Sequence, residues 1–185
     1  MGCFDNTPLE HIDACNAELV AGIAEAEVYA IIAEHIDTDQ VPPAIDTANA
    51  TLEALGTISG DITVVTGKGF FKLAVQSETG EVKDELVGNK GNKKVKSSFD
   101  FFVANTSAQN IGFLRRFKNT PMVFLVKEKS GRVRKLGSKS VPIFMDTGSM
   151  TTGKGPEDDT GMQVTLSVVS SMPAPVYGGA IAQIS

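Results

Sequence analysis

The segment Val95-Lys-Ser-Ser-Phe-Asp-Phe-Phe-Val-Ala104 decides the fold of this chain. Read with period two, Val95, Ser97, Phe99, Phe101 and Val103 share one face, opposed by Lys96, Ser98, Asp100, Phe102 and Ala104. Side chains alternate across a strand, so this pattern predicts a strand. Upstream, Ile58–Thr66, Phe70–Gln76 and Val82–Val87 also read as strands, separated by the turn compositions Gly67-Lys68-Gly69 and Glu78-Thr79-Gly80. Downstream the period changes. Ser107 is placed to cap a helix with Ile111, Leu114 and Phe117 on its inner face and Arg115, Arg116 and Lys118 outside. Strands resume at Met122–Lys127, Val133–Leu136, Val141–Met145 and Met162–Ser170. Many short strands around one helix predict a mainly β chain, a β-sandwich or small barrel with one flanking helix.

The first third reads less simply. Residues 22–36 fit a helix through Val20, Ile23, Val28, Ile31, Ile32 and His35, and fit a strand through Ala24, Ala26, Val28, Ala30 and Ile32. Periodicity leaves both open. Pro42-Pro43 breaks any regular element, and Asp46 is placed to cap a short helix that ends near Leu55-Gly56. The expected organisation is an N-terminal arm over 1–22, one β-rich domain over 23–178 and a tail over 179–185.

Charge is divided along the chain. Residues 1–67 hold twelve acids and no Lys or Arg; the remaining 118 residues hold 17 bases and ten acids, so a net of -5 conceals -12 and +7. A hydrophobic content of 42% with 21% charged residues speaks against wholesale disorder. No apolar run reaches the ~20 residues of a membrane span. The opening residues have no secretory pattern, so a cytoplasmic origin is expected. Cys3 and Cys15 cannot make a disulfide framework, and neither pairs with His11 or His35 at zinc spacing.

Motifs for catalysis are sparse. Gly148-Ser-Met-Thr-Thr-Gly153-Lys154 matches a phosphate-binding loop as far as the lysine, but Gly155 replaces the hydroxyl that holds magnesium. Pro156-Glu157-Asp158-Asp159 follows where a helix should begin, and its carboxylates would repel phosphate. A long flexible loop between strands is expected instead. No nucleophile elbow or metalloprotease pair occurs. The expectation is a non-catalytic chain with no cofactor, no metal and no small-molecule substrate. Its candidate contact residues are basic: Lys68, Lys93 and Lys94 in loops, Arg115 and Arg116 on the helix, and Arg132 and Arg134 around a strand. Their plain reading is solvated loops and edges guarded by charge. Their sharper reading is contact with the acidic third of another copy, or with phosphate.

Several segments carry a resemblance. Gly112-Phe113-Leu114-Arg115-Arg116-Phe117-Lys118-Asn119, Phe124-Leu125-Val126-Lys127 and Gly131-Arg132-Val133-Arg134-Lys135-Leu136-Gly137-Ser138 lead it. Val141-Pro142, Thr151-Thr152-Gly153-Lys154, Asp159-Thr160-Gly161 and Pro173-Ala174-Pro175-Val176-Tyr177 continue it, with Ala21-Gly22-Ile23, Val28-Tyr29-Ala30-Ile31 and Glu85-Leu86-Val87-Gly88 upstream. Together they resemble phage tail tube proteins and related virion structural proteins of tailed phages and prophages. The resemblance implies a β-sandwich or small barrel, the strand form of Glu27–Ala33, and subunits in rings, commonly hexameric, stacked head to tail. It also implies an N-terminal arm reaching the next ring, inter-ring loops near Thr66–Gly69 or Asn89–Lys94, other tail proteins as partners, and transient passage of DNA through the lumen. Location would be the virion tail, after synthesis in host cytoplasm. Alternatives are a capsid decoration or head–tail joining protein, or a nucleic-acid-binding module using Lys90–Lys96 and Arg115–Lys118.

Overall fold

In the computed structural model, which describes residues 23–48, 50–76, 78–155 and 157–184, Lys94–Ala104 forms one long strand. The expected arm over 1–22, with Cys3, His11 and Cys15, lies outside the described residues. In chain order the elements are β1 (Ile23–Ile32), β2 (Ile36–Thr38), α1 (Leu52–Leu55), β3 (Thr57–Ile58), β4 (Thr63–Val64), β5 (Phe71–Leu73), β6 (Glu81–Val87) and β7 (Lys94–Ala104). There follow α2 (Ala108–Phe117), β8 (Met122–Glu128), β9 (Val133–Leu136), β10 (Phe144–Thr151), β11 (Gly161–Ser170) and β12 (Val176–Tyr177). The chain is mainly β and sandwich-like.

Two sheets face each other. One has the order β3-β12-β9-β8-β1-β5, the other β10-β11-β7-β6, and β2 pairs with β4 separately. On β7 the five residues of the apolar phase are buried, as its alternation predicts. Phe99 and Phe101 stack at 4.9 Å and meet Phe124 of β8 across the gap. Val28, Ala30, Val126, Met162, Val164 and Leu166 complete this core. Each of these side chains larger than alanine contributes roughly 1.5–3 kcal/mol through burial.

The larger sheet is covered on its other face too. Ile31, Val123 and Leu125 point away from the first core, into a second one with Ile36, Ile58, Ile62, Phe70 and Tyr177. Met122–Val126 is therefore buried without interruption. A central strand with two covered faces needs apolar residues in both phases. β1 takes the strand form and lies between β8 and β5.

One open side of the sandwich is closed by α2. Its Phe113 and Phe117 rings pack on Phe71, with 5.3 Å between the Phe71 and Phe117 centroids, and a Cβ added at Gly148 of β10 would lie 2.7 Å from Leu114. The inner stripe is thus Phe113, Leu114 and Phe117. Ile111, expected on it, is 52% exposed because the Phe71 contact sets the helix rotation.

Other boundaries also shift. Thr51, not Asp46, caps α1: its hydroxyl accepts from the Ala54 amide, after turns at Ala44–Ala50 have delayed the helix. The expected strand Ile58–Thr66 is split into β3 and β4, because Ser59–Asp61 turn so that Asp61 accepts from Ala180 and Ile62 donates to Tyr177. β5 stops at Leu73. The strand expected over Val141–Met145 begins at Phe144, since Ser138–Val141 form a hydrogen-bonded turn.

Candidate functional site

The seven basic candidates are dispersed. Arg115 and Arg116 are exposed in the last turn of α2, where the helix dipole favours cations. Arg132 is exposed in the turn joining β8 to β9. Lys68 follows Gly67, whose φ of 76° closes a tight turn. Lys93 bends back onto the Gly88 carbonyl at 2.7 Å, while Lys94 opens β7 opposite Val87.

Arg134 is committed inside the chain. It lies on the inter-sheet face of β9, opposite Val126, with 23% of its side chain exposed. Its Nε donates to the Ala174 carbonyl at 2.7 Å, and Nη2 donates to Asp84 Oδ2 at 2.5 Å. Asp84 also accepts from the Ser97 hydroxyl and the Ala174 amide. This polar clasp ties β6 to β9 on the side opposite α2. It was findable, since Asp84 and Ser97 are cross-strand partners at inward positions of apolar phases.

Lys135 takes the other face of β9 and is 2% exposed. Its ammonium donates to Asp39 and to the Gln40 carbonyl, and Asp39 also accepts from the Lys139 amide. Burial pulls Lys135 below its ordinary value of 10.5, and the Asp39 carboxylate offsets part of that fall. With the ammonium so held, the adjoining cleft of about 180 Å³, bounded by Val41, Pro42, Leu136, Val141 and Met172, is walled mainly by apolar groups. Glu27 pairs with Lys127. The acidic third is thus met in part by bases of its own chain.

The phosphate-loop lookalike is filled from within. Residues 148–151 belong to β10, so the expected long loop is shorter than its sequence pattern. The Lys154 and Gly155 amides, which a phosphate would need, donate to Asp158 Oδ2 at 2.7 and 2.8 Å. These bonds hold Asp158 below the ordinary carboxylate range. Among the described residues, no three side chains of metal-binding type gather, and no helix is long and apolar enough to cross a membrane.

A further shared surface is the outer face of β10-β11-β7-β6. Ser98 lies between Lys83 and Ser167, and Asp100 between Glu81 and Thr165. Thr147, Ser149 and Gln163 extend this face across β10 and β11. Thr165 donates to Asp100, and Ser167 to Asp146, each at 2.5 Å. Lys83 is 3.8 Å from Glu81, and Lys96 is 4.0 Å from Asp146. The face is rich in hydroxyls; Lys83 and Lys96 stand beside carboxylates, while Lys94, Phe102 and Val169 share the same outward phase. No family model, curated protein or solved structure matches the chain.

Proposed function

We propose that this chain is a structural subunit of a virion, a tail tube protein whose copies assemble into stacked rings around a conduit for DNA. The observation that carries the reading is the uncovered four-stranded face. A channel for DNA has to avoid retaining it, and each cation that neutralises a phosphate adds affinity by releasing counterions. On this face Lys83 and Lys96 stand beside Glu81 and Asp146, and hydroxyls supply much of the remaining surface. The resemblance of the Gly112–Asn119 and Gly131–Ser138 segments to tail tube proteins supports the same reading. Its partners are further copies and other tail proteins, and its role involves no chemical step.

Electron microscopy of the purified protein across concentration and salt tests this. Rings or tubes with an open lumen are expected. Monomers throughout would overturn the proposal, and closed rings that never stack would favour a head–tail joining or capsid component. A nucleic-acid module is the reading favoured by Arg115 and Arg116, which are exposed together. It requires tight duplex binding at low salt that weakens steeply as salt rises.

A further inference from the structure

We propose that the cleft beside Lys135 binds a small neutral carbonyl compound, an aryl or alkyl ketone or amide, whose oxygen accepts a hydrogen bond from the buried ammonium. The inference goes beyond the assembly reading and holds whether or not the copies assemble. It starts from a donor left over. A lysine ammonium has three N–H bonds to give. Lys135 gives one to Asp39 and one to the Gln40 carbonyl, and among the described residues the third has no acceptor. The residue is 2% exposed, so bulk water has little access to it, and an unmet buried donor is costly. Lys135 borders the cleft, so an acceptor lodged there completes its set.

The walls suit an apolar body. Leu136, Val168 and Ala174 are buried and form the floor, while Val41 and Val141 are exposed and form the mouth. Gly137, with a φ of 80°, turns the chain sharply after β9, so that Ser138–Val141 closes one side. On the other side Pro173 and Pro175 lead from β11 into β12 with no N–H to offer. Among the described residues that border the cleft, Lys135 alone is charged. Its 180 Å³ is enough for a six-membered ring and a carbonyl group, since an apolar cavity of about 150 Å³ takes up benzene. A wider hollow of about 600 Å³ shares Val41, Pro42, Ser171 and Met172 with it, so a longer tail leaves the cleft under apolar cover.

Charge selects the class of guest. Asp39 already balances the ammonium. A carboxylate guest would bring a second negative charge towards Asp39, and an amine a second positive charge towards Lys135; a poorly solvated site opposes both. A hydrocarbon would match the walls and leave the third N–H unmet. A neutral carbonyl compound satisfies walls and donor together. Burial pulls Lys135 below 10.5, and an added acceptor opposes that fall.

The test uses acetophenone and ethylbenzene, which share a ring and differ by the carbonyl, titrated into the purified chain and followed by nuclear magnetic resonance. Both should move the methyl signals of Leu136, Val168 and Met172, with Kd on the order of a millimolar or below. Acetophenone alone should move the side-chain nitrogen signal of Lys135. In Asp39→Ala/Lys135→Met, which has no ammonium, the ratio of the ketone's affinity to the hydrocarbon's should fall about tenfold or more, because a hydrogen bond to a charged group is lost. The ratio is the readout, since the two probes differ in their own preference for water. Val141→Trp, a change at an exposed position, should block the mouth and exclude both probes, with the fold kept by circular dichroism. If neither probe moves the methyl signals, the cleft holds water only and the proposal is overturned. Binding that survives Val141→Trp unchanged would place the probes elsewhere and overturn it too. An unchanged affinity ratio, or equal movement of the Lys135 nitrogen by both probes, would remove the carbonyl from the proposal. The nitrogen signal decides this even where the double variant does not fold, and none of these results bears on rings or tubes.

Discussion

Tyr177 ties its own segment to that of Ile62 through one hydroxyl. It accepts from the Ile62 amide at 3.1 Å and donates to the Ala180 carbonyl at 2.8 Å, and burial raises its pKa above 10.0. Tyr177→Phe leaves the Ile62 amide without its partner, so a loss of about 1–3 kcal/mol is expected in denaturant melts. Asp39 has a sharper role, because removing it strands the buried Lys135 ammonium. Asp39→Ala should cost about 3–5 kcal/mol, and much of that should return in Asp39→Ala/Lys135→Met, where no charge is left behind. Asp158 governs a smaller equilibrium. Its pKa in the fold is depressed by two amides, so its contribution is present above the ordinary 3.8 and is lost as pH falls through the depressed value. Carboxyl titration by nuclear magnetic resonance should find Asp158 below 3.8, and Asp158→Asn should speed exchange of the Lys154 and Gly155 amides.

Among elements, α2 is held by a local cap and by one apolar stripe. Ser107 accepts from the Asn110 amide at 3.3 Å, so Ser107→Ala should cost about 1 kcal/mol in thermal melts. Ile111→Glu should be nearly neutral in the monomer, whereas Leu114→Glu should unfold it or detach the helix. That contrast marks what was legible in sequence. Ser107 and the β7 alternation were readable because a cap is local and β7 has one covered face. β1 was ambiguous because Val28 and Ala30 enter one core while Ile31 enters the other, which erases the contrast between phases. The rotation of α2 was hidden because Phe71, which fixes it, lies far off in sequence. The burial of Lys135 has no mark in the sequence, because nothing near it announces that Asp39 will cover it. Of the candidate bases, only Arg134 belongs to a built network, and its partner Asp84 carried the better clue.

For the whole molecule, the division of charge matters less between copies than its size suggests. Glu27 and Asp39 are already bound to Lys127 and Lys135. An assembly of such copies should therefore owe little to the division of charge and survive salt. Between roughly 0.05 and 0.5 M, its midpoint concentration should move less than tenfold by light scattering, whereas contacts through Arg115 and Arg116 would dissociate. The double cover of the larger sheet has a different consequence, one of timing. Ile31 and Val123 are neighbours although more than ninety positions separate them, and Phe70 is bridged by Gln183 near the far end of the chain. A nascent chain emerging from the ribosome therefore presents β1, apolar in both phases, long before β8 exists to receive it. Only after the segment beyond Tyr177 has been made is Phe70 bridged. Copies that stop before Gln183 are thus left with an unfinished second core, and those that include this segment alone should enter the assembly.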